Sequence, residues 1–233
     1  MRRHSAICSI CHDMRVLVTR AREQASALVR ALADSGFEPV LVPTIRFEFE
    51  SFDLPACDWV VVTSTNAVRS LGARPLAGAL LAAVGPETAA AARNDGYDVS
   101  LVARPSTGVA LVAAFADGPG TVALVHADRA FPTVRSGLVA KGWSVQALVG
   151  YRTVVGAVGA LPDVGVDAVT FASPSAAQGF VDSFGLDAVP RLVVSIGPTT
   201  SATCGALGIR VTAEATPHSV SGMVDALRQV ATQ

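Results

Sequence analysis

Val194-Ser195-Ile196-Gly197-Pro198-Thr199-Thr200 has an earlier echo in Ala83-Val84-Gly85-Pro86-Glu87-Thr88. In both, an apolar run of strand type breaks at Gly-Pro and continues as a helix-like segment with a threonine in its first turn. Proline suits that turn because the missing N–H would have no partner there. The remaining amides and the hydroxyl point into one opening, a place to hold an anion. A second related pair stands upstream: Asp58-Trp59-Val60-Val61-Val62-Thr63-Ser64 and Asp167-Ala168-Val169-Thr170-Phe171-Ala172-Ser173. Its serines precede the two glycines by 21 and 24 residues, so the chain carries two related units.

Between and around these motifs, short apolar strands alternate with amphipathic helices. Strands are predicted at Arg15 to Val18, Pro39 to Val42, Trp59 to Val62, Leu80 to Val84, Val99 to Val102, Val122 to Val125, Val145 to Leu148, Val166 to Phe171, Leu192 to Ile196 and Ile209 to Thr212. The first helix buries Ala25, Leu28, Val29 and Leu32; the last begins near Ser219 and buries Val220, Met223, Val224 and Leu227. Such alternation implies right-handed crossovers and parallel sheets covered on both faces. Two stretches differ, Thr44 to Glu50 and Gly150 to Val155, where apolar and polar residues alternate as in half-exposed extended segments.

Counting strands divides the chain. The middle block has five, and the two ends together also make five. The expected fold is α/β, with two similar doubly wound five-stranded parallel-sheet domains joined by a two-stranded ladder. One domain is discontinuous, 14–42 plus 157–233; the other, 54–148, is inserted; 43–53 and 149–156 form the ladder. Val16-Leu17-Val18 and Gly36-Phe37 recur 106 residues later as Val122-Ala123-Leu124 and Gly142-Trp143, so both ladder segments follow equivalent strands. The site is expected in a cleft between the two domains, at the carboxyl ends of the strands.

Composition narrows the function classes. With 233 residues and 51% hydrophobic content there is ample material for buried cores. Mean hydropathy is positive. Yet the longest apolar stretch, around Leu76 to Val84, falls far short of the roughly 18 to 20 residues a membrane span needs. A net charge of −1 argues against a general nucleic-acid binder. Lys141 is the only lysine; the arginine excess suits carboxylate recognition but follows equally from codon bias. Cys8-Ser-Ile-Cys11-His12 matches a haem-attachment pattern and half a zinc site, but no second pair completes a metal shell. Residues 1–13 are expected to be a disordered or non-native extension, and Cys57 and Cys204 reduced thiols of a cytoplasmic protein.

The strand ends carry Thr19-Arg20, Thr63-Ser64-Thr65-Asn66, Gly85-Pro86-Glu87-Thr88, His126-Ala127-Asp128-Arg129, Ser173-Pro174-Ser175 and Gly197-Pro198-Thr199-Thr200. Hydroxyls, amides and a few arginines bind carboxylates or phosphates more readily than they perform nucleophilic catalysis. Taken singly, each Ser or Thr is an ordinary helix cap and His126 an ordinary surface residue. Several related openings toward one cleft favour binding, with Arg20 and Arg129 as ligand contacts; Arg46 and Arg152, in the ladder, are ordinary surface arginines. No G-x-G-x-x-G or G-x-x-x-x-G-K-[ST] loop occurs, which disfavours nicotinamide and ATP.

Taken in order, these motifs resemble the uroporphyrinogen-III synthase family over nearly all of residues 15 to 230. The resemblance rests on the early Val-Leu-Val-Thr-Arg, Thr63-Ser64-x-Asn66-Ala67-Val68, Val84-Gly85-Pro86-x-Thr88-Ala89, Gly150-Tyr151-Arg152-Thr153, Phe171-Ala172-Ser173-Pro174-Ser175 and Ile196-Gly197-Pro198-Thr199-Thr200. It implies a cofactor-free cyclisation of hydroxymethylbilane, with loss of water and inversion of the last pyrrole ring. Tyr151 is the implied general acid, and its counterpart in the first repeat is Ile45. Substrate contacts are expected from Arg20, Ser64, Asn66, Gly85, Thr88, Arg129, Ser173, Ser175, Gly197, Thr199 and Thr200. No metal, membrane or nucleic-acid partner is expected, and the protein is expected to be a monomer. Two other readings fit the architecture: a non-catalytic hinged binder of a small polyanion, and an isomerase or transferase acting on phosphosugars.

Overall fold

In the computed structural model, residues 14–129, 132–163 and 165–232 are described. The expected extension at 1–13, with Cys8, Cys11 and His12, lies outside them. The chain forms two compact units: one ends its first segment at Arg46 and resumes at Val154, and the other is Phe47–Thr153.

In the discontinuous unit the chain runs β1 (Arg15–Val18), α1 (Arg22–Ala33) and β2 (Glu38–Leu41), then enters β3 (Ile45–Phe49). The inserted unit follows with β4 (Trp59–Val62), α2 (Thr65–Leu71), β5 (Leu80–Ala83), α3 (Pro86–Asn94), β6 (Val99–Val102), α4 (Gly108–Ala114), β7 (Gly120–Ala127), α5 (Thr133–Ala140) and β8 (Trp143–Val155). The return to the first unit brings β9 (Ala168–Phe171), α6 (Pro174–Phe184), β10 (Leu192–Ser195), α7 (Pro198–Ala206), β11 (Ala213–Glu214) and α8 (Val220–Ala231).

The first sheet has the order β11-β10-β9-β1-β2, five strands with parallel pairings. On one face α1 and α8 close a core of Leu28, Leu32, Met223 and Leu227 over Val16, Val18 and Val194. On the other, α6 and α7 close Phe171, Phe180 and Cys204 over Leu17, Val169 and Val193. Burial of both faces explains why these strands read as continuous apolar runs. The Cys204 thiol is pushed up to about 11 by desolvation, and both Cys57 and Cys204 are free.

The second sheet has the order β3-β8-β7-β4-β5-β6, six strands where five were expected. The two segments read as a separate ladder are part of this sheet. β8 runs unbroken over 13 residues from Trp143 to Val155, and β3 adds to its edge. Leu148 and Gly150 stay buried and β7 pairs along β8 as far as Tyr151, so no break falls at residue 149. A second shift concerns the strand expected at Ile209 to Thr212, which is reduced to Ala213–Glu214. Just before it Thr212 meets Val193 with both backbone and side chain: its N–H donates to Val193 O at 2.8 Å, and Val193 N–H donates to Thr212 Oγ1 at 3.0 Å.

Candidate active site

The carboxyl ends of β4 and β7, Tyr151 within β8 and the starts of α4 and α5 enclose a cavity of about 380 Å³ within the inserted unit. Its polar wall consists of the hydroxyls of Thr63, Ser64, Thr107, Thr133 and Tyr151; Val84, Val109, Ala127 and Val134 supply the apolar part. Two of the hydroxyls are helix caps. Ser64 is extended (φ −159°, ψ 167°) and its Oγ accepts Ala67 N–H at 3.1 Å; Thr107 Oγ1 accepts Ala110 N–H at 3.1 Å. A chain that leaves a strand in extended conformation and turns into a helix places its cap there, with the side chain at the sheet's carboxyl edge.

Tyr151 is 8% exposed and its Oη lies 3.0 Å from Ser64 Oγ. Two features put it there. The register of β7 and β8 slips between His126 opposite Val149 and Ala127 opposite Tyr151, which passes over Gly150. A Cβ at Gly150 would stand 2.3 Å from Ser70 Oγ and 2.8 Å from Val125 Cγ1, so only glycine lets β8 pass this close to α2. Phe47 meets the tyrosine ring edge-on with centroids 5.8 Å apart and fixes its plane.

The hydrogen-bond roles at this pair have a chemical consequence. Ser64 Oγ already accepts from Ala67 N–H, so its own proton is free to be donated to Tyr151 Oη. When Ser64 is the donor, the phenol proton is left for a group in the cavity that Tyr151 lines.

In the other unit the corresponding edge is built from Ser173, whose Oγ caps α6 by accepting Ala176 N–H at 3.2 Å, and from the Gly197-Pro198 turn into α7. Thr200 is buried, Thr199 exposed and Ser175 half-buried. His218 lies over the turn, its ring 3.2 to 3.5 Å from where a Gly197 Cβ would be. His218 Nε2 is 3.8 Å from Glu214 Oε1; Glu214 in turn accepts from Ser201, which pairs with buried Ser195 at 2.6 Å.

The expected site residues are distributed unevenly. Ser64 and Tyr151 line the cavity together. Gly85 (φ 94°) and Thr88 are buried at the start of α3, and Ser106 covers the turn: a Cβ at Gly85 would stand 2.3 Å from Ser106 Oγ. Asn66 is 3% exposed, with Oδ1 lacking a hydrogen-bond partner among the described residues, and does not line the cavity. Arg20 follows β1, half-buried. Arg129 points to solvent with its side chain 87% exposed, its Nε 4.0 Å from Asp128 Oδ2. Among the described residues no group of His, Cys, Asp and Glu could hold a metal ion, and no helix is long and apolar enough to cross a membrane.

Thr107, Gly108 and Thr133 also line the cavity, though sequence reasoning passed over them. For Thr107 there is a signal: Ala103-Arg104-Pro105-Ser106-Thr107 recurs as Ala215-Thr216-Pro217-His218-Ser219, 112 residues later, the same interval that separates Gly85 from Gly197. Both copies have a buried alanine, a cis X-Pro bond and a hydroxyl cap on the following helix. The side chain over each Gly-Pro turn, Ser106 or His218, comes from this second repeat.

Two related α/β units with hydroxyl-rich strand ends define a duplicated α/β protein. The family model for uroporphyrinogen-III synthase HemD matches residues 26–225, and the chain belongs to the uroporphyrinogen-III synthase family. Among solved structures it is similar to uroporphyrinogen-III synthetase from Helicobacter pylori, with a TM-score of 0.68 and 16% identity, covering 94% of this chain and 99% of that one. A mutant uroporphyrinogen III synthase from Thermus thermophilus gives a TM-score of 0.57 at 19% identity, covering 94% of this chain and 99% of that one. These likenesses bear on the fold. A curated protein of Archaeoglobus fulgidus, provisionally assigned as a uroporphyrinogen-III synthase, is 36% identical over 76 residues, 33% of this chain and 34% of its own length. One of Methanocaldococcus jannaschii, assigned in the same way, is 33% identical over 61 residues, 25% of each chain. The matches thus span about a third or less of the length of these curated relatives.

Proposed function

We propose that this chain is a cyclising hydro-lyase that converts hydroxymethylbilane to uroporphyrinogen III in tetrapyrrole biosynthesis, with Tyr151 as general acid. The observation that carries this is the Tyr151 to Ser64 hydroxyl pair, 3.0 Å apart on the wall of a cavity otherwise made of hydroxyls and small apolar groups. The substrate's terminal hydroxyl leaves as water. Its C–O bond breaks with the electron pair going to oxygen, which takes the Tyr151 proton, and a cationic pyrrole methylene remains. The substituted position of the last pyrrole is joined to the other end of the chain next, giving a spiro intermediate; rearrangement and loss of a ring proton, which returns to the phenolate, close the inverted macrocycle.

A cavity of about 380 Å³ is at the small end of ligand sites. It suits one terminal ring of a four-ring chain and not the whole of it. The chemistry needs little beyond a proton and correct placement, and effective molarity supplies much of the rate in such closures. The remaining rings and their carboxylates fall to Arg20, Asn66, Gly85, Thr88, Arg129, Ser173, Ser175, Gly197, Thr199 and Thr200. On this reading residues 14–42 plus 157–233 and residues 54–148 are two substrate-holding domains, 43–53 and 149–156 connect them, and the enzyme is a cytoplasmic monomer without a cofactor. The passage of the chain from one unit to the other inside β3 and β8 supports that division.

The test is the isomer ratio. Hydroxymethylbilane closes unaided to the symmetric isomer I; with this protein present the product is expected to be isomer III. Isomer I alone, at any protein concentration, would leave a binder of polyanions and remove the enzyme.

A further inference from the structure

Beside the main cavity lies a smaller one of about 210 Å³, lined by Thr63, Leu124, His126, Val134, Arg135 and Ala147 among others. Thr63 and Val134 line both, so the two share a wall. The smaller one is an annex of different chemistry: Arg135 and His126 line it beside buried Leu124 and Val134, and no acidic residue lines it among the described residues. Arg135 stands in the first turn of α5 and makes no ion pair among the described residues. His126 is fixed by a 2.6 Å hydrogen bond between Nδ1 and the carbonyl of Ala127. A carbonyl only accepts, so Nδ1 carries the proton, and Nε2 is the ring nitrogen left for another partner.

We propose that this annex is a carboxylate subsite: it takes one acidic side chain of the pyrrole ring whose reacting end lies at Tyr151. This rests on the reading of the main cavity as the ring's site. Arg135 is exposed at this annex and makes no ion pair among the described residues, and a guanidinium that stands beside the apolar side chains of Leu124 and Val134 can take a carboxylate through two parallel N–H donors. Arg135 supplies the charge and His126 a polar edge oriented by its bond to the Ala127 carbonyl. A flat ring in the main cavity with one acidic arm through the shared wall has a single orientation, and orientation decides which ring position meets the other end of the chain.

The probe is a monopyrrole bearing one acetate and one propionate, compared with its dimethyl ester, titrated into the intact protein and followed by amide NMR. Wild type is expected to bind the acid at least about tenfold more tightly than the ester, the order of one charge-assisted contact; Arg135→Ala is expected to lose that preference, and Arg135→Lys to retain part of it. With hydroxymethylbilane as substrate, Arg135→Ala is expected to act mainly through KM and not kcat, raising KM about tenfold and leaving it less sensitive to added salt. Equal binding of acid and ester by wild type, or an unchanged preference in Arg135→Ala, overturns the subsite. Isomer III production by wild type is scored separately, so an active enzyme with an indifferent Arg135 refutes the annex alone, while an inactive protein refutes the reading beneath it. An unchanged melting temperature in Arg135→Ala excludes misfolding as the cause.

Discussion

In both units a helix passes a neighbouring stretch of chain, the residue just before β3 in one and β8 in the other, so closely that one of the two residues at the crossing must be glycine, but the glycine is on opposite sides. In the discontinuous unit it is on the helix: a Cβ at Gly179 of α6 would stand 2.1 Å from the carbonyl oxygen of Thr44. In the inserted unit it is on the strand: a Cβ at Gly150 of β8 would stand 2.3 Å from Ser70 Oγ of α2. The repeat makes these the same crossing. Gly179 follows Ser70 by 109 residues, as Ser173 follows Ser64, and Gly150 follows Thr44 by 106, as Val122 follows Val16. The fold therefore requires a close approach and is indifferent to which element yields. One residue further on, Ile45 in one unit and Tyr151 in the other are both buried, and each unit has a capping serine at the equivalent helix start. Only Tyr151 has a hydroxyl to offer such a serine, so the phenol is not something the fold needs.

The largest effect is expected at the glycine whose obstacle cannot move. Thr44 O accepts Gly156 N–H at 2.9 Å, and Thr44 Oγ1 donates to Ala176 O at 2.7 Å, so the peptide facing Gly179 is held from both sides. Gly179→Ala should cost about 3 kcal/mol or more in urea unfolding. A loss under about 1 kcal/mol would mean that α6 can lift away freely, and the two crossings would not be equivalent constraints. Tyr151→Phe comes next: kcat for isomer III should fall on the order of a hundredfold, the size of a general-acid contribution. Its melting temperature should barely change, because the ring keeps its edge contact with Phe47. Full activity in this variant would assign the phenol to packing. Gly150→Ala meets a side chain where Gly179→Ala meets backbone, so about 2 kcal/mol is expected. Here the comparison itself provides the rescue, since the double variant Gly150→Ala/Ser70→Gly copies the other unit's arrangement. It should lose less stability than the sum of the two single variants, by about 1 kcal/mol; strict additivity would show that the two residues do not meet.

Much of the scaffold was legible because burial on both faces leaves a plain mark: the ten expected strands were read from apolar runs, and α8 from Val220, Met223, Val224 and Leu227. The two alternating segments pair with each other, β3 on β8, but period-two alternation records which face is wet and says nothing of which sheet a strand joins, so their place at the edge of the second sheet was not legible. Gly150 reads as a break in a pattern, yet it is where β8 continues and presses on α2. The Ser64 to Tyr151 pair could not be read from spacing, since it depends on that contact and on the register slip beside it. Nor could the choice between Arg129 and Arg135: both are exposed, and the first stands just past the end of β7, as a site residue would, yet it is Arg135 that lines the annex.

The smallest effect separates structure from binding within the second repeat. Thr107 caps α4 and Ser219 caps α8, each accepting one amide, from Ala110 at 3.1 Å and Gly222 at 3.2 Å. Thr107→Ala and Ser219→Ala should each cost about 1 kcal/mol of stability, the ordinary worth of a cap. Their catalytic consequences should differ. Thr107 borders the cavity that holds Tyr151, and its loss should raise KM for hydroxymethylbilane about two- to fivefold, roughly 0.4 to 1 kcal/mol. Ser219 is not among the residues lining that cavity, and its hydroxyl is shared with Ser221 at 2.9 Å, so Ser219→Ala should leave KM alone. If both variants raise KM equally, the discontinuous unit's opening grips substrate as firmly as the inserted unit's, and the asymmetry drawn between them is confined to the phenol.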